Sequence, residues 1–243
     1  MGVPTIGCDC AVCQSTDPRD RRTRPSILLR YGGNSVLIDT TPDFREQALR
    51  EDIRAIDAVL YTHAHADHVL GLDDLRPLSF HRPNKIPLYA RHDHTAIIRD
   101  MFRYAFDAVY KFGNLPQVEL KTLEAPIDLF GVTFEPIPVI HGDAEIWGFR
   151  FGSAAYLTDF SEIPESSMAK LTGLDILFLD ALRHKPHPTH STVENSLKIA
   201  GRLQAQRTFF THICHDLGHE ETNRSLPPEV RLAYDGLKLE FEL

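Results

Sequence analysis

Four metal-binding side chains fall within six positions at His63-Ala64-His65-Ala66-Asp67-His68. They follow directly on the apolar stretch Ala58-Val59-Leu60-Tyr61, which reads as a buried strand. A strand that ends in a tight loop can aim imidazoles and a carboxylate at one point from several sides. Two divalent cations can be held close together in this way at a strand's carboxyl end. A polar loop that happens to be rich in His is a weaker account, because more ligand candidates follow downstream. The count of 13 His in 243 residues agrees with the motif.

A binuclear site needs more donors than this run supplies: about four to six ligands per ion, with a carboxylate to bridge them. Three later positions fit, each after a strand-like segment. His141 follows Val132 to Ile140 and precedes Gly142, which leaves room near a metal. Asp159 follows Ala154 to Thr158, and His212 follows Arg207 to Thr211. Singly, each has a bland reading as a satisfied polar residue. Together with H-x-H-x-D-H, they make a metal crevice built from strand ends.

The cysteines form a second group. Cys8, Cys10 and Cys13 read C-x-C-x-x-C, with Cys214 far away. Without a basic and apolar leader at Met1 to Thr5, the default location is cytoplasmic, where such clustering favours a metal site over disulfides. Three thiolates are one ligand short of a tetrahedral zinc site. No apolar run is long enough for a transmembrane helix. A net charge of −8 argues weakly against a nucleic-acid partner.

Ser26 to Arg30 and Ser35 to Asp39 read as a hairpin around Gly32-Gly33, and Asp43 as the N-cap of a short helix. Further strands are expected at Pro87 to Ala90, Val132 to Ile137, Gly148 to Phe151, Ala154 to Leu157, Asp175 to Leu179, Arg207 to Thr211 and Leu237 to Phe241. Helices are expected around Thr95 to Phe106, Pro164 to Leu171 and Thr192 to Leu203, the last capped by Ser191 or Thr192. No low-complexity linker divides the chain, so one domain over residues 1–243 is expected.

Taken together, His63, His65, Asp67, His68, His141, Asp159 and His212 resemble the metallo-β-lactamase fold superfamily in its binuclear hydrolase branch. That resemblance implies an α/β (α+β) fold, an αββα sandwich. One metal would sit on His63, His65 and His141 and the second on Asp67, His68 and His212, with Asp159 bridging. Gly2-Val3-Pro4, the Cys cluster and Thr211-His212-Ile213-Cys214-His215-Asp216 resemble the cyclic-phosphate phosphodiesterases of the carbon–phosphorus lyase pathway. By that resemblance Cys8, Cys10, Cys13 and His215 hold a structural Zn2+ in a loop over about residues 1–25, with Cys214 the alternative fourth ligand. Members usually open with a strand and a Gly-rich turn, and Met1 stands almost on Gly2-Val3-Pro4, so the first strand is expected to be truncated.

The function implied is hydrolysis of a small cyclic phosphate by two divalent cations, Mn2+ or Zn2+, with Fe2+ and Ni2+ also compatible. Asp67 would orient the attacking hydroxide as well as bind metal. His190, next to a capped helix start, matches the family's general acid; the competing reading has it only hydrogen-bonding a loop. Arg183 and Lys185 could hold a second phosphate or lie on a solvated loop. His184, His187, His92 and His94 read as surface residues, and Arg19, Arg21, Arg22 and Arg24 as a solvated flank of the zinc loop. The aromatic segment Met101 to Phe106, with Tyr110 and Phe112, could overhang the crevice, although core packing is its first reading.

Rival readings are a tRNA 3′-processing nuclease, which should carry an extended basic or Gly/Pro-rich arm, and a diiron redox protein, which needs a flavin domain. A non-catalytic metal-stabilised interaction module would have no use for open coordination positions. The expected partner is a small phosphorylated substrate, with no nucleic acid and no membrane, and a homodimer is allowed.

Overall fold

Alternation and turn chemistry decide the start of the sheet in residues 24–131. In the computed structural model, which describes residues 2–80, 82–106 and 114–243, β1 (Ile27–Tyr31) and β2 (Asn34–Ile38) pair antiparallel with Tyr31 opposite Asn34. Gly32 and Gly33 form the two-residue turn, both at positive φ (54° and 80°), as a type I′ hairpin requires. After α1 (Phe44–Arg50) comes β3 (Ala58–Leu60), whose side chains are all buried. Next are α2 (Ala66–Val69), a 3₁₀ turn at Leu72–Leu75, α3 (Arg76–Ser79) and β4 (Ile86–Ala90). α4 (His92–Met101), α5 (Arg103–Phe106), β5 (Val118–Thr122) and β6 (Ile127–Leu129) complete this unit.

Its sheet runs β1-β2-β3-β4-β5, parallel from β2 onward. Leu37, Phe44, Ile56, Val59, Val69, Leu72 and Leu88 form its core. Gly71 donates its N–H to the Thr40 carbonyl at 3.0 Å, and a Cβ there would lie 2.0 Å from the Thr41 carbonyl oxygen. Only glycine lets the chain after α2 approach the β2 exit so closely.

The second unit comprises residues 1–23 and 132–243. A 3₁₀ turn at Pro18–Asp20 precedes β7 (Val132–His141), β8 (Ala144–Phe151), β9 (Ala154–Leu157), α6 (Glu165–Met168) and β10 (Ile176–Asp180). α7 (Val193–Leu203), β11 (Arg207–Thr211), α8 (His219–Ser225) and β12 (Val230–Leu232) follow. Six strands of this unit pair in the order β12-β11-β10-β9-β8-β7. The pairs β7–β8 and β8–β9 are antiparallel and the rest parallel. In the parallel register Leu157 faces Leu179, and Asp180 faces Thr211. Asp159, Asp180 and His212 therefore emerge at one edge, the carboxyl ends of three neighbouring strands. Leu157, Phe160, Leu177, Leu179 and Phe210 pack a fully buried core behind them.

Three expectations need correction. Leu237 to Phe241 is not a strand: β12 takes the place beside β11, and the later segment alternates half-buried and exposed residues without a ladder. Asp43 does not cap α1 with its side chain; its carboxylate instead accepts the Arg24 N–H at 2.7 Å and pairs with the Arg24 guanidinium at 2.8 Å. The expected helix from Thr95 to Phe106 begins at His92 and breaks at Phe102. Tyr110 and Phe112 lie outside the described residues. Among the described residues no helix is long and apolar enough to cross a membrane.

Candidate metal centre

The His63–His68 run occupies the loop after β3 and the first turn of α2. His63 and His68 are buried, Asp67 is half-buried and His65 is exposed. The His63 ring centroid lies 4.5 Å from that of His65 and 4.3 Å from that of His68. Asp39, just past β2, fixes their orientation. Its carboxylate accepts the Thr62 N–H, the Thr62 hydroxyl and the His68 Nδ1–H, each at 2.8 Å. The Thr62 hydroxyl oxygen in turn accepts from His63 Nδ1 at 3.0 Å. Both rings thus present Nε2 as the ligand nitrogen, the tautomer that a carboxylate or hydroxyl partner imposes on metal-bound histidine. Burial pushes the Asp39 carboxyl up, and His68 with the Thr62 donors offsets only part of that rise.

His94 is not a surface residue. It is half-buried at the start of α4, with its ring centroid 6.3 Å from that of His63. His92 is exposed, as expected, and meets Glu124 at 3.0 Å.

In the other unit, His141 ends β7 and donates from Nδ1 to the Thr189 carbonyl at 2.9 Å, again leaving Nε2 as the ligand atom. Burial is the main influence holding its imidazole toward the neutral form, which a metal ligand needs. Asp159 follows β9, accepts the Thr158 hydroxyl and lies 3.2 Å from His212 Nε2. The donor atoms of His141, Asp159 and His190 lie within 4.8 Å of one another. His190 donates from Nδ1 to Asp180 Oδ2 at 2.9 Å, and its ring stacks on His212 at 4.7 Å and 9°. Burial, the largest influence, raises the Asp180 carboxyl well above the usual range.

Asp39, Asp159 and His212 all have φ between 54° and 65°. Left-handed backbone at a non-glycine residue costs about 1–2 kcal/mol, and it turns each side chain sharply out of its strand.

Asp39 and Asp180 were not picked out from the sequence. Each is the carboxylate behind a histidine, and a two-residue pattern at a strand end (Ile38-Asp39, Leu179-Asp180) was the available signal. His187 stands beside His190, with ring centroids 4.9 Å apart, and not out on the surface. His184 is exposed and meets Glu194. The Arg183 guanidinium donates to the carbonyls of Lys185 and Pro186, so it shapes its own loop.

The cysteines gather as a separate centre. His215 Nδ1 lies 3.2, 3.6 and 3.5 Å from the sulfurs of Cys8, Cys10 and Cys13. A tetrahedral zinc with ordinary Zn–S and Zn–N bonds sets S···N edges of about 3.6 Å, so this donor set fits a structural metal. A backbone N–H from Cys13 is the main influence lowering the Cys10 thiol to about 7, toward the thiolate a metal requires. Cys214 is not in this group: it is buried, its sulfur accepts the Asp216 N–H at 3.4 Å, and burial pushes its thiol up. Arg22 is also not solvated. It is 6% exposed, and it pairs with Asp20 at 2.8 Å while donating to the carbonyls of Cys214 at 3.2 Å and Leu217 at 2.7 Å. That clasp seats the turn carrying His215 against the cysteine loop.

The sequence matches the family described as "Beta-lactamase superfamily domain" over residues 34–213. A crystal structure described as a new diphosphatase from the PhnP family is 63% identical, with a TM-score of 0.94, covering 100% of this chain and 94% of that one. An octanoyltransferase of Porphyromonas gingivalis is 38% identical over 98% of this chain and 49% of its own length. A ribonuclease Z of Bradyrhizobium diazoefficiens is 31% identical over 57% of this chain and 47% of its own length. The chain spans about half the length of these two curated relatives. The match over residues 34–213 and the full-length likeness at 63% identity show that the chain belongs to the metallo-β-lactamase superfamily and, within it, to the PhnP family.

Proposed function

We propose that the chain hydrolyses a phosphodiester in a small cyclic phosphate, such as phosphoribosyl 1,2-cyclic phosphate, with two divalent cations. His63, His65 and His141 would hold one cation and Asp67, His68 and His212 the other, with Asp159 shared; Cys8, Cys10, Cys13 and His215 would hold Zn2+. When bound, the active pair polarises a phosphoryl oxygen and lowers the pKa of a water. Asp67 orients the attacking water for in-line displacement. His190 gives a proton from Nε2 to the departing alkoxide, because its Nδ1 is committed to Asp180. Asp180 keeps that tautomer by accepting the Nδ1–H.

The observation that carries this reading is the Asp180–His190 pair, stacked on His212 and 3.8 Å from Asp159. A proton donor fixed beside metal-ligand candidates serves an ester whose leaving oxygen is poor, and a non-catalytic module has no need of it. The likeness to a diphosphatase favours a second reading, cleavage of a diphosphate linkage. A cyclic phosphodiester and a disubstituted diphosphate both present a phosphorus with two bridging oxygens, which is the group the proposed site would act on. The net charge of −8 disfavours RNA.

The Mn2+-loaded protein should hydrolyse bis-p-nitrophenyl phosphate, and Asp67→Ala should abolish turnover. Given both natural-type substrates, it should prefer the cyclic phosphate; preference for the diphosphate would select the second reading. Turnover unchanged in Asp67→Ala would refute the mechanism.

A further inference from the structure

A cavity of about 360 Å³ opens among β11, β12 and α8, lined by residues that the proposed hydrolysis does not use. We propose that it binds a small organic phosphate, a phosphate monoester on an aromatic or heterocyclic body. The volume lies within the range of small-ligand sites, about 300–1,000 Å³.

His219 points to a ligand. Its side chain is 3% exposed, and its Nδ1 is buried with no hydrogen-bond partner among the described residues. A buried ring nitrogen left unmet costs about 1–3 kcal/mol, and a small turn of the His219 ring toward a phosphate oxygen in the cavity would offset that cost. Besides Arg19, two cations share the lining. Arg231 is anchored at one end, its Nη1 donating to the carbonyls of Pro227 at 2.8 Å and Val230 at 2.6 Å. Arg224 forms no hydrogen bond or ion pair among the described residues. Guanidinium forks suit phosphate oxygens in pairs.

The one acid of the lining, Glu220, is neutralised by Arg19 at 2.7 Å, so the cavity keeps a positive balance. Tyr234 and Phe209 supply its aromatic side, with the Tyr234 ring edge-on to His219 at 5.6 Å and 84°. Such surface favours a ring over a bare anion.

Isothermal titration of the full-length, metal-loaded protein with adenosine monophosphate tests this, with inorganic phosphate as the comparison. The expected result is submillimolar binding of the nucleotide, at least tenfold weaker in the Arg224→Ala, Arg231→Ala double variant. That variant should hydrolyse bis-p-nitrophenyl phosphate at the parent rate, and both arginines are exposed, so it should fold. His219→Leu should weaken the nucleotide by a similar factor. Absence of nucleotide binding, or binding untouched by the double variant and competitive with bis-p-nitrophenyl phosphate, would overturn the proposal. Inorganic phosphate binding as tightly as the nucleotide would overturn its aromatic half.

Discussion

Asp39→Asn isolates what the carboxylate behind His68 contributes. The substitution changes neither size nor backbone strain, because Asn is among the residues that tolerate the left-handed φ of 65° found there. Asp39 is fully buried and accepts three hydrogen bonds at 2.8 Å. An amide can keep its oxygen toward the Thr62 hydroxyl and His68 Nδ1–H, but its NH2 then faces the Thr62 N–H. That mismatch costs about 1–3 kcal/mol. Removing a buried charge acts in the opposite direction, since burial disfavours the ionised carboxyl at this position. Apo-protein stability should therefore fall by less than the mismatch alone. Metal binding has no such compensation: His68 keeps an acceptor for its Nδ1–H but loses the negative charge that makes Nε2 a stronger donor. A loss of about 10–100-fold in affinity is expected, or about 1.4–2.8 kcal/mol. Competition with a chromophoric chelator measures the affinity, and urea unfolding of the apo-protein measures stability. Affinity within twofold of the parent would refute the assigned role of Asp39.

The other expectations concern different parts of the molecule. Replacing His190 by Ala should slow esters with poor leaving groups by about 10²–10⁴ and p-nitrophenyl esters far less; equal slowing would contradict proton donation. Mild chelation should strip the active-site metals while zinc remains, as metal analysis would show, and Cys13→Ser should lose that retained zinc. Arg22→Met leaves Asp20 buried without its cation, and should cost about 3–5 kcal/mol in urea unfolding; a loss under 1 kcal/mol would contradict the clasp. Burial, with Arg19 and Arg22, lowers the His219 imidazole from its ordinary 6.5, against the opposite pull of Asp17 and Asp20. Its folded pKa lies below the unfolded one, so the unfolded chain takes up the proton first as pH falls. The stability contributed is complete above about pH 6.5 and is lost toward lower pH. A stability profile over pH 5–8 should flatten in His219→Leu.

Long apolar runs ending in ligand-type residues were legible because burial and chemistry coincide there: Ala154 to Leu157 and Arg207 to Thr211 are strands with the bounds expected of them. The metal-ligand candidates could be read for the same reason, as side-chain types with few other uses at such density. What stands behind them could not. Asp39 and Asp180 each look like an ordinary polar residue closing a strand, and their meaning depends on partners 29 and 10 positions away. Arg22 sits in an arginine-rich run that composition alone assigns to solvent, yet two of its partners are the carbonyls of residues 214 and 217. Leu237 to Phe241 failed for the opposite reason. Its alternation is correct for a strand, but β12 already pairs with β11. Local pattern specifies a face, and only the sheet decides whether a neighbour is available.

The Cys3His centre joins residues separated by 202 positions, from Cys13 to His215. During synthesis Cys13 leaves the ribosome 202 residues ahead of its nitrogen partner, which follows only after all of residues 24–131 and most of its own unit. At about 5–20 residues per second the interval is about 10–40 s. Throughout it the nascent chain displays an unfinished thiolate site, open to stray metals and oxidants. Zinc captured early would wait on three sulfurs, and arrival of the 212–217 turn would close the fourth position. The zinc centre is thus among the last contacts of this unit that synthesis allows, and the Thr23–Asp235 hydrogen bond, spanning 212 positions, fastens residues 1–23 to a still later part of the chain.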